Sequence, residues 1–395
     1  MDRFVQIAGV GMTPFSKPSA GTPYTVLAEQ AARVALADAG IDYSQVQQAY
    51  AGYVYGDSTC GQAALYGLGQ TGIPIVNVNN NCSTGSSALW LARQAVQSGE
   101  VDCVLAVGFE QMRPGALASV WDDRPDPLER SETAMAQIQG ADAHAPVAAQ
   151  LFGGAGQAYA DAHGTAPETF AKISVKARRH AAANPYAVFR TALTEEEVLA
   201  SPHIYGPLTR LQCCPPTCGA AAAVVCSTDF AQRHGLDTSV AIRAQALTTD
   251  TASTFDAGDM MKVVGYDMSR AAAERVYADA GVGPGDIDVV ELHDCFTTNE
   301  LISYEALGLT PEGTAEKFVL DGDNTYGGKV VTNPSGGLLS KGHPLGATGL
   351  AQCAELVWQL RGQADARQVE DARLALQHNI GLGGAAVVTL YERTS

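Results

Sequence analysis

The sequence predicts an α/β protein built from two similar halves, and three observations predict it. Short apolar runs of strand length alternate with stretches whose apolar residues recur at helical spacing. One helix–glycine–polar turn–strand unit occurs twice. AARVALADAGIDYSQVQQAY (31–50) aligns with AAERVYADAGVGPGDIDVVE (272–291) at an offset that pairs Gly40 with Gly281 and Val46 with Ile287. Between the copies, the stretch 113–212 changes character, being richer in Pro, Asp, His and Arg, and reads as an insertion. A duplicated strand–helix unit implies right-handed crossovers and two α/β halves packed face to face with helices between them. The expected division is 1–112 plus 213–245 for the first half, 113–212 for the inserted loop domain, and 246–395 for the second half.

In order, Val5 to Val10 reads as a strand, and residues 24–39 as a helix stopped by Gly40. Ala49 to Tyr55 is a second strand. Ile73 to Val78 is a third, ending in three asparagines, Cys82 and a run of small residues. Apolar positions 88, 91, 92, 95 and 96 then mark a helix, so Cys82 falls at a strand-to-helix turn. Unpaired N–H groups and partial positive charge at a helix N-terminus favour thiolate over thiol there. Residues 102–108 form a buried strand ending near Glu110. After the insertion, 219–227 and 240–247 read as strands. In the second half, Asn333 to Gly349, a helix over 350–360 and a strand over 373–377 parallel Asn81, its helix and the strand at 102–108. The last strand is Ala385 to Leu390. Active sites in such folds gather at strand ends facing one crevice.

The formal charge of −17 argues against nucleic-acid binding and against anionic membranes. Nine unevenly spaced cysteines do not resemble a secreted disulfide framework. The start, MDRFVQIAGVGMTPF, lacks signal-peptide design, no apolar run nears membrane-spanning length, and the last residues are not a peroxisomal address. The expectation is a cytoplasmic enzyme or binding protein.

Four stretches carry residues suited to chemistry. Cys82 lies in NNNCSTGSSAL. His293 and Cys295 lie in ELHDCF, at a strand end. His343 lies in NPSGGLLSKGHPLGATGLAQ. Gly381 lies in QHNIGLGGAAVVTLY, where glycines permit close backbone approach to a ligand oxygen. Each is weak alone, since a lone cysteine or histidine is more often a packed or hydrogen-bonding residue. As a set they resemble the thiolase family, and within it the sterol carrier protein X-type enzymes. The resemblance runs from Gly9 nearly to the C-terminus.

That resemblance implies a five-layered αβαβα arrangement with an inserted loop domain, usually a homodimer or dimer of dimers. The sterol-carrier domain that follows in the fused enzymes is not expected here, since the sequence ends at Ser395. The resemblance also implies cleavage of a 3-oxoacyl-CoA by CoA, or the reverse Claisen condensation, in fatty-acid (β-oxidation) or sterol side-chain metabolism. Coenzyme A is substrate, and no cofactor or metal is expected. By resemblance Cys82 matches the nucleophile and His343 its base. His293 matches an oxyanion donor, Cys295 the acid that protonates the enolate, and the N–H groups of Cys82 and Gly381 a second oxyanion site. The commonest family pattern has cysteine where this chain has Asn379, and the second cysteine has moved to Cys295. For the CoA phosphates, Lys172, Lys176, Arg178, Arg179 and His180 are the candidate basic patch, with Ser335 and Gly336 as further CoA contacts. Cys213, Cys214 and Cys218 fit no common zinc spacing and read as packing. The alternatives are an acyltransferase or aldolase on the same frame, or a subunit that binds acyl-CoA without turnover, in which case a small OB-fold partner is expected.

Overall fold

The computed structural model describes residues 5–115 and 117–394; residues 1–4, part of the amino-terminal stretch read above, lie outside them. The strands are β1 (Val5–Met12), β2 (Gln48–Gly52), β3 (Ile75–Val78), β4 (Cys103–Glu110), β5 (His203–Tyr205), β6 (Leu208–Thr209), β7 (Gly219–Ser227), β8 (Val240–Thr248), β9 (Val289–Glu291), β10 (Val331–Thr332), β11 (Leu374–Gly381) and β12 (Ala385–Arg393). β5 and β6 make a small hairpin of their own. The other ten form two sets in the same order, β3-β2-β4-β7-β1 and β10-β9-β11-β12-β8, which meet where Gln6 of β1 faces Ala241 of β8. In each set the first three strands run parallel, and the long fourth strand is antiparallel to its neighbours.

Strand alternation sets the layers. In β4, Val104 and Ala106 face one core while Cys103, Leu105 and Val107 face another. The central core takes the inner faces of both sheets and the helices Thr84–Ser98 and Thr348–Arg361 between them. The helix Tyr24–Ala39 covers the outer face of the first sheet, and Tyr266–Ala280 covers that of the second. The two outer helices end alike, at Gly40 (φ +72°) and Gly281 (φ +70°), the left-handed stop that the aligned glycines predict. The result is the five-layered arrangement.

Two expectations change. β8 begins at Val240 and pairs with β12 from Val240 to Thr248, so the second half starts before residue 246. The insertion is also not a separate body. Its buried Leu151, Phe152, Tyr159, Phe170 and Ile173 share one apolar core with Leu301, Tyr304 and Phe318 of the second half. Its apolar faces are buried against the opposite copy from the one whose strands it connects.

Candidate active site

Cys82 sits between β3 and the helix Thr84–Ser98, after Asn81, whose backbone is left-handed (φ +51°). Asn tolerates that conformation better than most residues. Asn81 also donates from Nδ2 to the Leu382 carbonyl (3.1 Å), tying this turn to the hairpin between β11 and β12. The expected thiolate is not the resting state. Burial pushes the Cys82 thiol up to about 12, and the Glu110 carboxylate adds to the shift. The backbone N–H groups that oppose it belong to Cys82 and Leu382. Desolvation outweighs the helix end, so the sulfur needs a base. The second N–H beside the sulfur comes from Leu382, next to Gly381, which ends β11.

His343 supplies the base. Its Nδ1 lies 2.7 Å from Thr348 Oγ1, and that hydroxyl gives its own proton to the Pro344 carbonyl (3.0 Å). Nδ1 therefore carries the imidazole proton. Nε2 is left buried with no hydrogen-bond partner, and burial lowers the pKa to about 3, so the ring is neutral. His293 and Cys295 follow β9 and both face the same hollow. Between them Asp294 turns away and accepts from Leu338 N (2.7 Å) and Leu339 N (3.4 Å), pinning the start of the His343 loop. Burial, with the neighbouring His343 and His378, holds His293 well below its usual pKa, and its Nδ1 is 2.9 Å from Asn379 Nδ2. Cys295 is held well above the usual thiol range, first by burial and then by Cys214 and Cys82.

The structure brings all four side chains together. Cys82 Sγ and one ring nitrogen each of His293 and His343 lie within 4.8 Å of one another. The two imidazoles meet edge to face, with centroids 5.1 Å apart. Both, with Cys82 and Cys295, line a cavity of about 440 Å³. Its wall is mostly apolar, including Met112, Leu117, Phe152, Phe296 and Ile380, with Arg210 exposed at its edge. A thiol and two imidazoles are also a metal-ligand set. Ligation would release the proton of the Cys82 thiol.

Glu110, which the sequence reading passed over, holds the site from beneath. It ends β4, is buried, and accepts backbone N–H groups from Val54 (3.0 Å), Tyr55 (2.9 Å) and Gly346 (3.0 Å). Burial raises its pKa to about 7. The signal was a carboxylate directly after the apolar run of a buried strand. At Gly108, two residues earlier, a Cβ would lie 2.1 Å from the Gly346 carbonyl oxygen, so this crossing of the two halves needs glycine.

The predicted basic patch is not one. Lys176 is buried and paired with Glu300, with Thr332 and Tyr304 alongside. Arg178 is buried over the Phe189 ring, and His180 is buried between the Asn333 carbonyl and Thr325. Lys172 pairs with Glu195, and Arg179 donates to Thr325. Lys176 and His180 of the helix Pro167–Ala181 are buried against the second half, whereas Lys172 is half-buried and Arg179 exposed. Ser335 is buried on Glu291 and, with Gly336, lies outside the cavity lining. In CCPPTC, Cys213 and Cys214 line the cavity, whereas Cys218 packs against the Met112 carbonyl.

The model of the thiolase N-terminal domain matches residues 5–229, and that of the thiolase C-terminal domain-like family matches 249–393. Sterol carrier protein 2 of Gallus gallus is 57% identical over 99% of the chain and 72% of its own length. The acetyl-CoA acetyltransferase of Methanothermobacter thermautotrophicus is 35% identical over 99% of the chain and 100% of its own length. Among solved structures, the Ltp2-ChsH2(DUF35) aldolase superposes with a TM-score of 0.83 at 25% identity, over 99% of this chain and 98% of that one.

Proposed function

This chain belongs to the thiolase family, and from that premise we propose that it is an acyltransferase that cleaves 3-oxoacyl-CoA with CoA through an acyl-Cys82 intermediate. The observation that carries the reading is the convergence of Cys82, His293, Cys295 and His343 on one cavity. His343 Nε2 takes the thiol proton of Cys82, and Sγ attacks the 3-keto carbon. The oxyanion so formed faces the backbone N–H groups of Cys82 and Leu382. The C2–C3 bond then breaks. Its electron pair passes into the thioester, whose enolate oxygen is met by His293 and by the now protonated His343. Cys295 delivers its proton to C2 and becomes thiolate, releasing acetyl-CoA or propanoyl-CoA. A second CoA gives up its thiol proton to restore Cys295, attacks the acyl-Cys82 carbonyl, and leaves as the shortened acyl-CoA. His343 returns its proton to the Cys82 sulfur. Run backwards, the same transfers perform a Claisen condensation.

The apolar cavity wall suits the acyl chain, and Arg210 at its edge is the cation we assign to the CoA phosphates. A cytoplasmic homodimer is the assembly we infer. β3 is an outermost strand, and its Val76 is exposed, which leaves an edge for a second copy to pair with. The chain's described helices include none long and apolar enough to cross a membrane. An aldolase reading is favoured by the Ltp2-ChsH2(DUF35) likeness alone, and retro-aldol chemistry has no need of a nucleophilic sulfur. The deciding experiment is mass spectrometry of the intact chain after mixing with acetoacetyl-CoA and with a 2-methyl-3-oxoacyl-CoA. An acyl adduct on Cys82, absent from Cys82→Ala, is expected; turnover without any adduct would sink the reading.

A further inference from the structure

We infer that Asn379, backed by Ser86 and Gln377, fixes His293 as the tautomer that carries its proton on Nε2, so that His293 meets a ligand only as a donor. What that donor meets rests on the thiolase reading, but the tautomer does not.

The argument starts from a group whose polarity cannot reverse. The Gly349 carbonyl oxygen, which only accepts, lies 2.6 Å from Gln377 Nε2, so the amide nitrogen is on that side. The Tyr391 hydroxyl donates to Gln377 Oε1 at the other end of the amide. The same Nε2 stands 2.8 Å from Ser86 Oγ. An amide nitrogen offers no lone pair, so Ser86 accepts there and its own proton turns to Asn379 Oδ1, 2.8 Å away. Asn379 then presents Nδ2 to His293 Nδ1 at 2.9 Å. A nitrogen that faces an N–H must be bare, so the ring proton sits on Nε2. The opposite orientation of the Asn379 amide would aim two donors at Ser86 and leave its proton without an acceptor among the described contacts. All four links, Gln377, Ser86, Asn379 and His293, are buried, where an unmade hydrogen bond is costly.

The two imidazoles at the cavity thus hold opposite polarity while both are neutral. His343 shows a bare Nε2 and takes a proton; His293 shows Nε2–H and gives a hydrogen bond. Asn379 occupies the place of the usual second cysteine. In this chain that position is a positioning residue for the first step's electron sink.

The test uses the full chain labelled with 15N-histidine at neutral pH, with His293 assigned by its loss in His293→Gln. The expected signature is a non-protonated Nδ1 and a protonated Nε2; a protonated Nδ1 would overturn the inference. In Asn379→Asp the carboxylate only accepts, so the proton should move to Nδ1. Deuterium exchange at C2 of acetyl-CoA should then fall about 100- to 1,000-fold, the scale of one lost oxyanion donor. Acylation of Cys82 by a simple acyl-CoA should fall far less. An equal fall in both half-reactions in folded Asn379→Asp would count against the assignment. Should that variant not fold, the wild-type spectrum decides alone. The expected tautomer with no C2 exchange in the wild type would tell against the thiolase reading and not against the tautomer.

Discussion

The two copies of the repeat build the same turn and use it differently. In both, a third strand ends in an asparagine with φ +51°, Asn81 after β3 and Asn333 after β10. In the first copy the helix starts almost at once, at Thr84, and its N-terminal turn brings Cys82 to the cavity. In the second copy only a single helical turn, Gly337–Ser340, follows at once; the long helix is delayed to Thr348, and the loop between them carries His343 back over Cys82. The first copy therefore donates the sulfur, and the second donates both imidazoles and the acid, Cys295. A repeat with one short and one long turn gives a nucleophile fixed by a helix and a base fixed by a loop. Such a loop needs external support, which it gets from Asp294 at its start and from Glu110, of the other half, at its end.

The sharpest way to break this comparison is to remove one member from each copy. Cys82→Ala should abolish thiolysis, because no acyl acceptor remains. His343→Ala should lower kcat by about 100- to 10,000-fold, the usual scale for general acid–base work, while Cys82 still alkylates slowly. Steady-state kinetics beside iodoacetamide labelling separates them. Equal, total loss of labelling in both would mean that the histidine shapes the turn rather than activating the sulfur.

Next in size is the buried pair that the sequence misplaced. Lys176→Met leaves Glu300 uncompensated in the core, and breaking such a pair costs about 3–5 kcal/mol. Denaturant melts should show it, with KM for CoA unchanged in whatever folds. Arg210→Ala should do the reverse, raising KM for CoA about tenfold with stability within about 0.5 kcal/mol. If Lys176→Met raised KM and Arg210→Ala did not, the CoA site would lie on the insertion's helix after all.

These contrasts show what the sequence made legible. Periodicity and the repeat gave the strands, the matched glycine stops and the order of the halves, because these follow from local apolar spacing. Cys82, His293, Cys295 and His343 lie in turns after strands or in a glycine-flanked loop, which makes each a weak candidate alone; their roles came from the resemblance of the four stretches, as a set, to thiolases. Ionic partners were not legible. Lys172 to His180 has the composition of a solvated face, and only the packing of the insertion on the second half buries Lys176 and His180. Glu110 was hidden for the same reason, since its three N–H donors come from residues 54, 55 and 346. The Cys82 shift was misjudged because helix-end charge can be read from a sequence, whereas burial cannot.

A smaller effect distinguishes the halves by pH. His343 and His378, in the second half, are buried neutral with pKa values of about 3, and His293 is lowered as well. In the unfolded chain histidine titrates near 6.5, so below that pH the unfolded state binds more protons. Each such residue then removes up to about 1.4 kcal/mol of stability per pH unit as pH falls from about 6.5 toward 3. Glu110, in the first half, runs the other way. Its folded pKa is raised to about 7 from 4.5, so its contribution is fully present below 4.5 and is lost as pH rises through 7. Hydrogen exchange read by peptide should therefore show the elements around His343 opening first at pH 5. The crossing of β4 with the Gly346 loop should loosen first at pH 9. In Glu110→Gln the alkaline loosening should disappear, at a constant cost of about 1–3 kcal/mol for the N–H left unpaired. If Glu110→Gln kept the alkaline loosening, the carboxylate would not be what ties the two unequal turns together.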